Sequence, residues 1–375
     1  MKFGGDEKTK PFTLVYGKVI SREPSLVGRS TVVLHAKSLK WKDIDLVVKI
    51  SWPSSDRIAE NEFLERATKK AESDEDHKWA LNHLPQALFA QDVVFDSDST
   101  HEKVASLFDN PEFVNEEYKY ERRTLRIIIQ EHLYPLKALT NVKDIAQVIL
   151  DVICIHRWLC DHAGILHRDL SLNNIMYRII KGKVYGVLMD YDLASWTATL
   201  TRDYTKTSQQ RTGTPPFMAH GLLDGTDAIH LYRHDVESIF YVMLILVTRY
   251  DIQVPEEGKD GGIQVREGDL YFQDWFETRN FKMLGDAKWG FLTKFRAFEV
   301  SPSFKDFYDW LLALRSSFVS GFQARGQHDL QVDLMVQRRR QGLGQAGDEV
   351  KPAAFDDETT RRPLRPHKKS TPGLN

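Results

Sequence analysis

Leu166-His167-Arg168-Asp169-Leu170-Ser171-Leu172-Asn173-Asn174-Ile175-Met176 is the stretch around which this 375-residue chain is organised. It sets one carboxylate, Asp169, and an amide further along, Asn174, in a short polar loop between apolar segments. An acid so placed can accept or orient the proton of a nucleophilic hydroxyl, and an amide oxygen one loop-width away can hold a magnesium ion that bridges phosphates. The chemistry this suits is phosphoryl transfer. An ordinary turn, with Asp169 capping and Asn174 bonding locally, uses the same residue types, so the flanking chain has to decide between the two.

The composition, 42% hydrophobic and 28% charged, is that of a globular chain able to bury a core in one large bilobal domain or two compact ones. A formal net charge of -2 supplies neither a basic field for nucleic acid nor an acidic one for a basic partner, so partners have to be argued from sites. The two cysteines, Cys154 and Cys160, fall on different faces of one apolar helical stretch, which argues against a disulfide scaffold and for a reducing compartment. No apolar signal region opens the chain, and no run approaches the roughly 18 apolar residues of a membrane span. The expectation is a soluble cytoplasmic protein. The basic clusters Arg338–Arg340 and Arg361–Lys369 add the nucleus as a second location, although such clusters are more often solvated charge.

Short Val-, Leu- and Ile-rich runs at Leu14–Ile20, Ser30–His35 and Leu46–Ile50 predict an antiparallel start, followed by a helix over Asp56–Glu72. Leu88–Phe95 and Thr124–Gln130 read as further strands, with the acidic segment 96–120 between them as an inserted surface loop. Asn141–His162 is an amphipathic helix ended by Gly164, and the organising stretch follows it. Met176–Ile180 and Val184–Met189 form a hairpin, Ser195–Thr212 an exposed loop, Val236–Val247 a buried helix and Tyr308–Phe318 a last core helix. From Gln323 onward aromatic residues nearly vanish, which predicts a disordered tail over 323–375. No internal repeat is visible.

His167-Arg168-Asp169-Leu170 through Asn174 matches the catalytic-loop pattern of protein kinases at every fixed position. Together with Leu26-Val-Gly-Arg-Ser-Thr31, Lys49-Ile-Ser-Trp-Pro53, Asp190-Tyr-Asp-Leu-Ala194 and Arg233-His-Asp-Val-Glu-Ser238, it makes the chain resemble the fungal-type protein kinase family from about Leu14 to Phe318. The resemblance implies an α+β, bilobal kinase-like fold, with a small antiparallel β-rich N-lobe over 12–134, a mainly helical C-lobe over 135–322 and a flexible segment over 1–11. It implies ATP and Mg2+ as cofactors, a protein substrate and serine/threonine-type transfer.

Under that resemblance Lys49 is similar to the strand lysine that pairs with nucleotide phosphates and a helix glutamate. Glu60, Glu62 and Glu65 compete for the partner role, and Glu60 is favoured because Phe63 and Leu64 follow it by three and four positions. Asp169 is the catalytic acid with Arg168 beside it, and Thr214, within Gly213-Thr-Pro-Pro-Phe-Met-Ala219, resembles the residue that bonds to it. Asp235 resembles the buried aspartate that anchors the catalytic loop. Asn174 and Asp190 are the implied metal ligands. Gly28, Lys49, Glu131, Leu133, Asn174 and Asp190 are the implied nucleotide contacts, and Arg168 is placed to receive a phosphate from Thr205, Thr207 or Ser208.

Four departures stand out. Only Gly28 lies in the phosphate-covering loop, where several glycines let backbone amides approach phosphate. Ser171 stands where many kinases carry a lysine. Asp192 replaces the glycine of Asp-Phe-Gly and is read either as a further metal ligand or as a turn cap. Ala219-His220-Gly221 replaces Ala-Pro-Glu and so loses the glutamate that braces the lower lobe. Beside the protein kinase, two alternatives remain: a small-molecule phosphotransferase of aminoglycoside or choline kinase type, against which Gly213–Ala219 and Asp235 argue, and a nucleotide-binding pseudokinase scaffold.

Overall fold

Leu46–Ser51 is buried along almost its whole length, as only the centre of a sheet allows, and the sheet forms around it. In the computed structural model, strands β1 (Val15–Arg22), β2 (Val32–Lys37), β3 (Leu46–Ser51), β4 (Ala87–Val93) and β5 (Leu125–Glu131) make a five-stranded sheet of order β1-β2-β3-β5-β4. Every pairing is antiparallel, and Lys49 lies opposite Val33 on one side and Ile128 on the other. Phe12, Leu14, Ala36, Leu46, Val48, Ile127 and Ile129 pack together on one face. Because side chains alternate along a strand, Lys49 points to the opposite face. The residues described are 2–3, 11–23, 29–93, 95, 98–108, 121–199, 213–227, 229–255, 261–268, 270–294 and 297–340.

Helix α1 (Glu60–Glu72) starts four residues later than the expected Asp56, after Ala59 in an extended conformation. Its buried residues, Glu60, Phe63, Leu64, Ala67 and Ala71, form a single stripe at three- and four-residue spacing, so Glu60 lies on the inward face, while Glu62 and Glu65 lie off it. The expected loop over 96–120 contains a helix, α2 (Thr100–Phe108), and residues 109–120 lie outside those described.

The second half is mainly helical, giving a mixed α/β molecule with a sheet-rich N-terminal part. Helix α3 (Val142–Trp158) is capped by the Asn141 side chain, continues through a π-helical turn Leu159–Ala163 and stops at Gly164, whose φ of 69° is left-handed. Strand β6 (Tyr134–Pro135) precedes α3 and β7 (Ile165–Leu166) follows it; the hairpin β8 (Ile175–Ile180) and β9 (Lys183–Leu188) pairs with β6 through β8 and packs on α3. A Cβ at Gly186 would overlap the Val148 carbonyl, so only glycine lets β9 approach α3 this closely. Strand β10 (Ser195–Trp196) pairs with β7, which ties the chain before the catalytic loop to the chain after Asp192. Helix α4 (His220–Asp224) precedes α5 (Tyr232–Arg249), buried on nearly every side.

Beyond α5 lie the hairpin β11 (Tyr250–Gln253) and β12 (Gly262–Val265), then α6 (Gln273–Glu277) and α7 (Phe281–Thr293). Helix α8 (Tyr308–Arg340) extends past Phe318, so residues 323–340 of the expected tail are helical, and 341–375 lie outside those described. The chain divides into two compact units, residues 1–319 and 320–375. Both cysteines are free thiols, and among the described residues no helix is long and apolar enough to cross a membrane.

Candidate active site

The outward face of β3, the first turn of α1 and the end of β9 converge on the Lys49 ammonium. Its Nζ lies 2.8 Å from Glu60 Oε2, 2.7 Å from Asp190 Oδ1 and 2.9 Å from Asp192 Oδ2. Burial alone would lower the lysine pKa, but three carboxylates hold it well above its ordinary value. The acids outnumber the cation. Glu60 shows the surplus: burial first, then the neighbouring Asp192 and Asp190, push its carboxyl up to about 7 despite Lys49. Asp190 goes the other way, to about 2, because its contact with Lys49 outweighs its burial. Arg29 Nη1, a third exposed, stands 3.8 Å from Asp192.

Asp190 and Arg168 are both left-handed without being glycine, at φ 66° and 69°. Such a backbone costs roughly 1–2 kcal/mol per residue, and here the surrounding bonds enforce it. At Arg168 the backbone amide donates to Asp235 Oδ2 at 3.1 Å; that carboxylate also accepts from His156 Nε2 at 2.9 Å and, on Oδ1, from His230 Nε2 at 2.6 Å. At Asp190 the neighbouring Tyr191 amide donates to Glu60 Oε1 at 3.2 Å, and Tyr191, fully buried, packs edge-on against His167. His167 donates from Nε2 to the Met189 carbonyl at 2.9 Å and accepts from the Asp169 amide on Nδ1. Asp192 itself has no left-handed φ, so the glycine it replaces is not required for this conformation.

Asp169 Oδ1 accepts two hydrogen bonds from Thr214, from the amide at 3.0 Å and the hydroxyl at 2.9 Å. Asn174 Nδ2 donates to the Asp169 carbonyl at 2.8 Å and reaches its Oδ2 at 3.3 Å. Burial and the nearby Asp190 raise the Asp169 pKa against the stabilising bond from Thr214, so the carboxylate is a stronger base than in water. A buried acid held by a threonine and an asparagine, with its remaining lone pairs open, can orient a hydroxyl nucleophile.

The Met189 amide donates to the Asn174 carbonyl at 2.8 Å, which brings Asn174 beside Asp190. With one amide bonded to Asp169, Asn174 keeps its amide oxygen available. Glu60, Asp190 and Asp192 each offer an oxygen within 4.8 Å of one another, with Asp192 Oδ2 buried and paired to the Lys49 ammonium at 2.9 Å. Hard carboxylate oxygens that outnumber the one lysine among them are a donor set that fits a divalent cation such as Mg2+.

Other expected residues are placed differently. The Glu131 carboxylate is taken up by Arg178 at 2.8 Å and the Gln86 amide at 3.0 Å, and Leu133 is buried. Ser171 is buried next to Asp169. Gly28 and the hydroxyls Thr205, Thr207 and Ser208 lie outside the described residues. The sequence offered no signal for His156 and His230 as partners of Asp235, because His156 lies on a different helix, 79 positions away.

No curated protein matches the chain. The model of the family described as fungal protein kinase matches residues 4–247, well over half the chain and all of the groups above, although it stops short of the expected limit at Phe318. With Lys49, Glu60, Asp169, Asn174, Asp190 and Asp235 assembled in one place and that match across them, the chain belongs to the fungal protein kinase family.

Proposed function

We propose that this kinase is an ATP- and Mg2+-dependent enzyme of bilobal architecture that phosphorylates serine or threonine hydroxyls of proteins. The observation that carries the reading is the pair of hydrogen bonds from Thr214 to Asp169. They couple the catalytic acid to the segment 213–219, which in a protein kinase faces the peptide and which a small-molecule phosphotransferase has no reason to hold there. Lys49, positioned by Glu60, turns to the phosphates of ATP, and Asp169 orients the acceptor hydroxyl and takes up its proton as the new O–P bond to the γ-phosphorus forms and the bond from that phosphorus to the β,γ-bridging oxygen breaks, with ADP leaving. Asn174, Asp190 and Asp192 would hold Mg2+, which would supply charge compensation for the transferring phosphoryl group. Ser171 lends a hydrogen bond but no charge where a lysine is usual. Arg168 accepts a phosphate placed on Thr205, Thr207 or Ser208, through a guanidinium fork that matches phosphate oxygens.

The test offers labelled ATP with protein acceptors and with small alcohols in separate reactions. Label on protein serine or threonine supports the reading. Label on alcohols alone favours the small-molecule alternative, and nucleotide binding without transfer favours the scaffold.

A further inference from the structure

The loss of the lower-lobe glutamate at Gly221 leaves a question that the structure answers elsewhere. A side chain could not simply be restored there, because a Cβ on Gly221 would run into the Asp227 carboxylate, which His234 Nε2 and Arg233 Nη2 each hold at 2.9 Å. The acid comes instead from α5: Glu237, 2% exposed, accepts on Oε1 from the His220 amide at 2.8 Å, His220 Nδ1 at 2.9 Å and the Tyr241 hydroxyl at 2.7 Å. The hydrogen-bond donor comes from α7. Lys288 is 0% exposed, and its Nζ donates to the carbonyls of Pro215 at 3.1 Å and Met218 at 2.5 Å. It lies 4.2 Å from the ring centre of Tyr241 and 5.2 Å from that of Trp275.

A buried ammonium is costly unless its donors are satisfied. Among the described residues Lys288 has no ion pair within 4 Å; burial pushes its pKa well below the ordinary lysine value, the Glu237 carboxylate opposes that from farther off, and two backbone carbonyls and two aromatic faces are its direct contacts. A site that needed only to be filled would be served better by an apolar side chain of the same length. Both carbonyls belong to the 213–219 segment, and Thr214, next to Pro215, is the residue bonded to Asp169.

We propose that Lys288 is a positioning residue: it anchors the Pro215 and Met218 carbonyls in place of the missing glutamate brace, and so holds Thr214 on Asp169 and the segment 213–219 in the shape that receives the protein acceptor. The inference rests on the protein-kinase reading. It reaches the reaction through the loop and not through the nucleotide, so its effect falls on acceptor binding. A misplacement of about 1 Å in such a loop is worth up to ~100-fold in rate.

Lys288→Met, of similar length and free of donors, tests it. The expected result is a cooperative melt, ATP affinity within about twofold of wild type, and a KM for dephosphorylated casein raised at least about tenfold, with faster amide hydrogen exchange at Thr214, Phe217 and Met218 and unchanged exchange over 166–176. Casein KM, kcat and loop exchange all equal to wild type would overturn it, leaving Lys288 as filler. If wild type labels no protein, the protein-kinase reading fails, and the exchange measurement alone still decides whether Lys288 anchors the loop. Should Lys288→Met not melt cooperatively, Lys288→Arg, which keeps N–H donors at that place, is read as a rescue. Wild-type exchange over 213–219 supports the anchor, and faster exchange spread equally over 166–176 overturns it.

Discussion

Three carboxylates meet Lys49, where the resemblance implied one, the helix glutamate. Glu60 carries the consequence. In the folded protein its carboxyl titrates at about 7, against 4.5 ordinarily, so between those values the folded state holds a proton that the unfolded chain has released. The stability this contributes is fully present below about pH 4.5 and is lost as pH rises through about 7. Tm of the nucleotide-free protein is therefore expected to decline over that window, and Glu60→Gln should flatten the decline; an identical slope in the variant would contradict the assignment. Asp192 makes the second residue-scale prediction. Asp192→Gly removes one of the oxygens near Asp190, so the magnesium concentration at half-maximal activity should rise by several-fold, and an unchanged magnesium curve would return Asp192 to being only a partner of Lys49. Lys49, Asp169, Asn174 and Asp190 were legible in the sequence because each sits in a short motif whose neighbours fix its backbone. Asp192 was legible only as two alternatives, since spacing shows that it shares a side with Asp190 but not that an ammonium lies between them. Lys288 left a fainter trace, a lysine inside the apolar run from Leu284 to Leu292, and its partners are some seventy positions away in sequence.

The elements that build the site followed their sequence patterns closely, because apolar periodicity decided each one. The stripe of α1 selects Glu60 over Glu62 and Glu65 by helix geometry alone. Strands β1 to β5 and the hairpin β8–β9 fall within two or three residues of the expected runs. Helix α2 lies inside an acidic segment whose scattered apolar residues give no helical period, and α8 continues to Arg340 through residues with few aromatics, where composition alone gives no sign of a helix. Gln, Arg, Leu and Met are good helix formers, and a helix can continue on them without a core to face. Packing between elements is tightest where β9 crosses α3. Gly186→Ala places a methyl group on the Val148 carbonyl and should destabilise the protein by about 1–3 kcal/mol, lowering Tm with little change in KM for ATP. A Tm equal to wild type would mean that the two elements can separate at no cost.

Across the whole molecule, the family match from residue 4 to 247 spans the sheet, the catalytic loop and α5, while α6 and α7 lie beyond it and supply Trp275 and Lys288 behind the 213–219 segment. The matched part therefore holds the residues proposed for the chemistry, and α7 beyond it bonds to the 213–219 segment through Lys288. Sequence patterns made the first part legible. They could not do so for the second, whose bonds run from side chains to backbone carbonyls and depend on the completed fold. The central claim is that the assembled residues transfer phosphate to protein hydroxyls with Asp169 orienting the acceptor. The most direct measurement compares wild type and Asp169→Ala for phosphate transfer from labelled ATP to dephosphorylated casein, with nucleotide affinity measured in parallel. The expected result is label on serine or threonine from wild type, transfer lowered by about 10²–10⁴ in the variant, and nucleotide affinity kept within a few-fold. Equal transfer by the two proteins, or label appearing only on small alcohols, would contradict it.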